Sequence, residues 1–283
     1  MRDDAATGLR FDKMHGLGND FLVIDGRGRA ADPARWLSPG QVRALADRRR
    51  GVGFDQLVLL ADPPPGADLR LLFWNADGSP SDACGNATRC IARAEMDRTG
   101  RTALAIATGG GLLVARDAGP GRAAVNLGHP RTEWEEIPLA RPCDTLALPL
   151  PGAPVATSMG NPHCTFLVPD AEAPDLAEIG PRTETDPLFP RRTNVQLVQV
   201  LAADRLRVRV WERGAGITPA SGTSSAAALV AAHRRGLCGP RATIVLDGGE
   251  LDVAWEGDGV WTTGAAATVF SGVLHPSALD AAP

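Results

Sequence analysis

The chain has 283 residues, 44% of them hydrophobic and 22% charged, with a formal net charge of -4 at neutral pH. That length and composition fit a globular protein of one large or two smaller domains, and the mildly acidic balance gives no basic footprint for nucleic acid. No apolar run reaches the length of a membrane span, and the five cysteines (Cys84, Cys90, Cys143, Cys164, Cys238) form no CxxC pair, so neither a membrane partner, a zinc site nor a disulfide framework is expected.

The opening MRDDAATGLR has no apolar h-region, which predicts a cytoplasmic protein with reduced thiols. Ser38-Pro39-Gly40-Gln41 is a capping box with proline at the first helical position, leading into VRALADRRR. QLVLL (56–60), LRLLFW (69–74), GLLVARDA (111–118) and RLRVRVW (205–211) read as strands by alternation or apolar content. Two further helices begin near Cys84 and Ser221. The proline-rich stretch 138–154 reads as a linker. Near the C-terminus, hairpin turns are predicted at Asp247-Gly248 and Asp258-Gly259.

An internal repeat organises these elements. Trp74-Asn75 is followed by Ala83-Cys84-Gly85, and Trp211-Glu212 is followed at the same spacing by Ala220-Ser221-Gly222. GNDFLVID from Gly18 pairs with GNPHCTFLVPD from Gly160, and QLV at 56–58 pairs with QLV at 196–198. The three pairs keep their order at nearly one offset. They predict two similar halves about a pseudo-two-fold axis, with a ligand site where the halves meet.

Each half then places a small polar residue at a helix start. A helix N-terminus has unpaired N–H groups and a positive dipole end, so it suits a carboxylate. It also favours the thiolate of a cysteine such as Cys84. Cys90, deeper in the same helix, reads as core. Two such groups about one carbon fit racemisation or epimerisation, which needs a base on one face and an acid on the other. Residue types alone do not select that reaction. Ser221 is equally an N-cap.

The motifs KMHGLGNDFLVID (13–25), RRRGVGFDQL (48–57), FWNADGSPSDACGNATRC (73–90), MGNPHCTF (159–166), RTNVQLVQV (192–200) and WERGAGITPASGTSSAA (211–227) resemble the diaminopimelate epimerase family, in family order and over most of the chain. The resemblance implies an α/β fold of two pseudo-symmetric domains, each a β-barrel-like mixed sheet around a central helix. The halves are expected to be residues 1–127, completed by 265–283, and 128–264. It implies cofactor-independent interconversion of LL- and meso-diaminopimelate in lysine and peptidoglycan-precursor biosynthesis, by a homodimer with no metal.

By motif position, Cys84 resembles one catalytic cysteine and Ser221 stands at the other. Asn19, Gln56, Asn75, Asn161, Asn194, Glu212 and Arg213 match substrate contacts. Gly85-Asn86 and Gly222-Thr223 match the helix starts around the substrate carboxylate. His163 and Glu212 match residues that tune the two catalytic groups. The last motif departs from the family pattern. Ile217 replaces a glutamate, Ser221 replaces the cysteine, and Ser224 and Ser225 are also atypical, so one exchange does not describe the change. An alcohol is a poor base without an activator. Four readings of Ser221 stay open: an engineered exchange, against which Ser224 and Ser225 favour natural divergence; a proton donor helped by Glu212 or water; an idle partner in a one-face isomerase or dehydratase; or part of a binding protein, with a helix cap alone as the purely structural reading.

Overall fold

The computed structural model describes residues 9–28, 37–275 and 277–280. Residues 1–8, read above for an apolar leader, lie outside the described residues. The chain divides into two compact units, one of residues 1–123 with 265–283 and one of residues 124–264.

The first unit opens with an antiparallel hairpin, β1 (Leu9–Gly16) and β2 (Asn19–Asp25). Its turn residues Leu17 and Gly18 have φ of 56° and 82°, the left-handed pair that matches the twist of hairpin strands. α1 (Pro39–Ala46) follows, closed by the reciprocal Ser38–Gln41 box. β3 (Gln56–Ala61) runs parallel to β2, and β4 (Leu69–Asn75) antiparallel to β3. β5 (Pro80–Ser81) lies on β4 and leads into α2 (Gly85–Thr99). β6 (Ala103–Thr108) returns parallel to β4, and β7 (Gly111–Asp117) pairs with β6. β8 (Arg122–Asn126) carries the chain onward.

The second unit repeats this order. β9 (Val155–Ser158) and β10 (Pro162–Leu167) are antiparallel, and α3 (Leu176–Glu184) follows. β11 (Asn194–Ala202) is parallel to β10, β12 (Arg205–Glu212) antiparallel to β11, and β13 (Gly216–Thr218) lies on β12. After α4 (Gly222–Arg234), β14 (Arg241–Leu246) runs parallel to β12 and pairs with β15 (Gly249–Glu256). β16 (Gly259–Ala265) pairs with β15 and β8. β17 (Ala267–Leu274) returns to the first unit beside β1, before the short α5 (Ser277–Asp280). The short sequence repeats thus mark a repeated topology, a mixed sheet in each unit.

α2 and α4 explain how each unit closes. Ser224 to Ala232 of α4 are all buried, as are Asn86 to Arg93 of α2. Stretches of that length cover the whole helix circumference, so neither helix has a solvent face over that span. α4 touches β9, β10, β11, β12, β14 and β15, and α2 touches β1, β2, β6, β7 and β17. The alanines of α4 let strands approach from every side. Cys90 is fully buried and burial pushes its thiol up to about 11, the core role expected of it.

Two expectations are corrected. The stretch 138–154 is not a linker. It belongs to the second unit, where Leu139 and Leu148 join a core cluster with Ile137, Ala156, Cys164 and Phe189. Its prolines shape a packed loop rather than an open tether. The second C-terminal turn sits one residue earlier, at Gly257-Asp258, because Glu256 pairs with Gly259. Gly259 is needed inside the strand: at φ 136° a side chain there would meet Asn126 and the Gly128 backbone. No helix among the described residues is long and apolar enough to cross a membrane.

Candidate active site

In the first unit, Cys84 is the N-cap of α2, with extended backbone (φ -145°, ψ 110°). Its Sγ lies 3.5 Å from the Ala87 N–H and 3.9 Å from Asn19 Oδ1. Asn86 Nδ2 donates to the same Asn19 oxygen at 3.3 Å. The Asn19 amide is held from behind: its Nδ2 donates to Asp55 Oδ2 at 2.8 Å. A carboxylate only accepts, so Asn19 must turn its oxygen toward Cys84.

Asp55 in turn belongs to an ionic brace with Asp20, Arg48 and Lys13. Burial pushes the Asp20 carboxyl up, but hydrogen bonds from Arg48 and Lys13, with their charges, outweigh it and hold the group well below the usual range. The brace ties β2 to the segment before β3. Gln56 and Asn75 stand opposite each other on β3 and β4, and Gln56 Nε2 donates to Asn75 Oδ1 at 2.9 Å. Asn75 Nδ2 donates to Ser79 Oγ at 3.0 Å. Both are expected substrate contacts, and both are engaged with each other.

In the second unit, Ser221 is the N-cap residue of α4 but its side chain makes no cap bond. The hydroxyl donates instead to Glu212 Oε2 at 3.0 Å. This corrects the reading of Ser221 as a side-chain cap: the alcohol is given to a carboxylate instead. Glu212 ends β12, and the turn after it is fixed by Glu184, which accepts from Trp211 Nε1 (2.7 Å) and Gly214 N (3.1 Å). Asn194 is a bracket too: its Oδ1 accepts from Arg213 N at 3.0 Å, and its Nδ2 donates to the Pro162 carbonyl at 2.9 Å.

His163 is wholly buried. Burial, with a smaller push from Arg213, takes its imidazole down to about 3, so it is neutral at physiological pH. Its ring nitrogens are taken up by Gln196 and Asn161, not by Ser221. Of the two residues expected to tune the catalytic groups, Glu212 accepts from Ser221, while His163 spends both ring nitrogens on Gln196 and Asn161. Asn161 borders a cavity of about 350 Å³ lined also by Arg131, Arg191 and Arg213, a suitable receptor for a carboxylate. Glu135 and Glu136 stand at the same cavity. A larger cavity, about 610 Å³, lies elsewhere in the first unit, against Phe11, Met14 and Ile91; none of the expected site residues lines it.

Sequence reasoning missed the braces: Asp20, Asp55, Arg48, Glu184 and Gln196. Gln196 carried a signal as the repeat mate of Gln56, and Asp20, Arg48 and Asp55 lie inside the resembling motifs, where pattern gave them no role. Among the described residues no group of three or more His, Cys, Asp and Glu is placed to hold a metal ion.

A family model described as Diaminopimelate epimerase matches residues 11–133 and 155–269. A diaminopimelate epimerase of Phenylobacterium zucineum is 52% identical over 279 residues, covering 95% of this chain and 99% of that protein. One from Rhodospirillum centenum is 51% identical, covering 95% and 94%. Among solved structures, a probable proline racemase from Agrobacterium radiobacter matches with a TM-score of 0.68 at 16% identity, over 96% of this chain and 94% of that one. A hydroxyproline epimerase from Agrobacterium vitis matches with a TM-score of 0.66 at 16% identity, over 96% and 93%. At such identities these two establish the fold alone, a two-domain α/β architecture.

Proposed function

The chain belongs to the diaminopimelate epimerase family, and from that premise we propose that it interconverts LL- and meso-2,6-diaminopimelate by removing and returning the proton at an α-carbon. One observation supports the reading: the N-cap residue of each unit's buried helix has a side chain that can carry a proton, Cys84 on α2 and Ser221, bonded to Glu212, on α4. Inversion at carbon requires two such groups.

The assignments follow from the chemistry of each group. Cys84 is an acid and base in its own right. Ser221 acts only with Glu212, because an isolated alkoxide is inaccessible near neutral pH. In one direction Ser221 takes the substrate proton as it passes its own to the Glu212 carboxylate, and the Cys84 thiol returns a proton to the α-carbon. In the other, the Cys84 thiolate takes the proton and the Glu212 carboxyl returns one through Ser221. The backbone N–H groups of Gly85-Asn86 and Gly222-Thr223 hold the α-carboxylate and stabilise charge that develops beside it. Asn19, Gln56, Asn75, Asn161, Asn194 and Arg213 orient the substrate. The reaction so written calls on side chains and backbone dipoles, with no cofactor. The family resemblance adds a cytoplasmic homodimer, which sedimentation at twice the 29.6 kDa chain mass tests.

The decisive experiment incubates the protein separately with LL- and meso-diaminopimelate in heavy water and follows α-proton exchange and stereoisomer conversion together. Exchange with conversion from both isomers is expected. Exchange from one isomer without conversion would leave Cys84 as a lone base, and absence of exchange despite binding would remove the catalytic reading. Cys84→Ala should lower turnover by at least roughly a hundredfold; unchanged turnover would refute its role.

A further inference from the structure

Thr165, Gln196, His163 and Asn161 form a buried chain of hydrogen bonds whose directions, with the Gln196 amide as placed, form one self-consistent set. The Thr165 hydroxyl donates to Gln196 Oε1 at 3.0 Å. That leaves the Gln196 amide nitrogen facing His163 Nδ1 at 3.0 Å and Ser224 Oγ at 3.1 Å. An amide nitrogen only donates, so Nδ1 must be bare and the ring proton must sit on Nε2. Nε2 then donates to Asn161 Oδ1 at 2.9 Å. Thr165, Gln196, His163 and Ser224 are all fully buried, so bulk water offers no competing partners. Ser224, one of the positions that depart from the family pattern, supplies the acceptor for the second amide hydrogen.

Asn161 is where this chain meets the arginine-lined cavity. With Oδ1 turned to the ring, its carboxamide keeps both Nδ2 hydrogens for a ligand. We propose that Gln196, backed by Thr165 and Ser224, is a positioning residue that fixes the His163 tautomer and through it the carboxamide of Asn161, so that Asn161 presents donors to a substrate carboxylate. This rests on the reading of Asn161 as a substrate contact. A ring protonated on Nδ1 would reverse the logic: Asn161 would turn Nδ2 to the imidazole and its oxygen to the anion, exchanging a charge-assisted hydrogen bond for a repulsion.

The test joins nitrogen-15 NMR of the imidazoles with kinetics. His163 is assigned by the signal lost in His163→Gln. In the wild-type protein at neutral pH, His163 should appear as one neutral tautomer with bare Nδ1 and protonated Nε2. An Nδ1-protonated ring or an imidazolium there would overturn the proposal without any variant. Gln196→Met keeps the volume and removes the donor. It should lose the single tautomer and raise KM for diaminopimelate roughly ten- to a hundredfold, with kcat little changed. Loss of the tautomer with unchanged KM would overturn the link to Asn161. If the wild-type protein fails to turn over diaminopimelate, the functional reading fails, while its spectrum still decides whether Gln196 sets the ring.

Discussion

Cys84 and Ser221 hold the same place in two copies of one motif, yet the chain uses them differently. The thiol turns to its own helix, accepting from the Ala87 N–H. The alcohol turns away, to Glu212. The repeat mate of Glu212 is Asn75, a neutral amide occupied by Gln56 and Ser79. A carboxylate therefore stands behind the serine, where the matching repeat position of the first unit carries an amide. This matches the acidities: a helix N-terminus gives about 0.3–1 kcal/mol, at most about 2, less than two pKa units at roughly 1.4 kcal/mol each. That suffices to bias a thiol and is far too little for an alcohol. Glu212→Gln should thus cut proton exchange at the Ser221 face by roughly 10²–10⁴ and spare exchange at the Cys84 face. Deuterium uptake from each isomer separates the two. Equal losses from both isomers would mean that Glu212 serves substrate binding rather than Ser221.

At the scale of elements, Gly180 links packing to the site. It lies buried in α3, and a Cβ there would fall 2.4 Å from the Trp211 ring. Helix propensity alone favours Gly180→Ala by about 1 kcal/mol. Forcing the indole aside costs about 1–3 kcal/mol, and Trp211 leads directly to Glu212 and Arg213. The variant should therefore be less stable in urea and raise KM; a gain in stability would show that the indole yields freely. The elements themselves were largely legible. The strands at 56, 69, 111 and 205, the box at Ser38 and both helix starts follow from local pattern, and the repeat gave their order. The loop at 138–154 was misread because proline content reports stiffness, not burial. The site was legible as residue types but not as directions. Asp55 behind Asn19, Glu184 behind the Arg213 turn and Gln196 behind His163 act across 36, 30 and 33 residues of chain, a range that periodicity does not reach.

Across the whole molecule, the titrating groups divide between the units, and so should its response to acid. In the second unit, burial holds His163 neutral, its proton affinity falling from an ordinary 6.5 to about 3. Below pH 6.5 the unfolded chain takes up a proton that the folded unit refuses. Stability is therefore complete above that pH and is lost as pH falls toward 3, by up to about 1.4 kcal/mol per pH unit for one proton. In the first unit the shifted carboxylates lose their contribution in a lower window. Burial raises Asp20 and Asp25, but Arg48 with Lys13, and Arg27, outweigh it; Glu95 is lowered first by Arg98 and then, against burial, by Arg27. Groups held below their ordinary values stabilise above those values, near 4, and release that stability only beneath them. Between pH 6.5 and 4.5 the second unit should weaken by roughly 2–3 kcal/mol while the first barely changes. Hydrogen exchange read by mass spectrometry resolves this, with peptides from β10, β11 and α4 losing protection before those from β2, β3 and α2. His163→Gln should flatten the first limb by removing the proton that drives it. Parallel loss in both units above pH 4.5, or a first limb that survives in the variant, would place the acid sensitivity in some group other than His163.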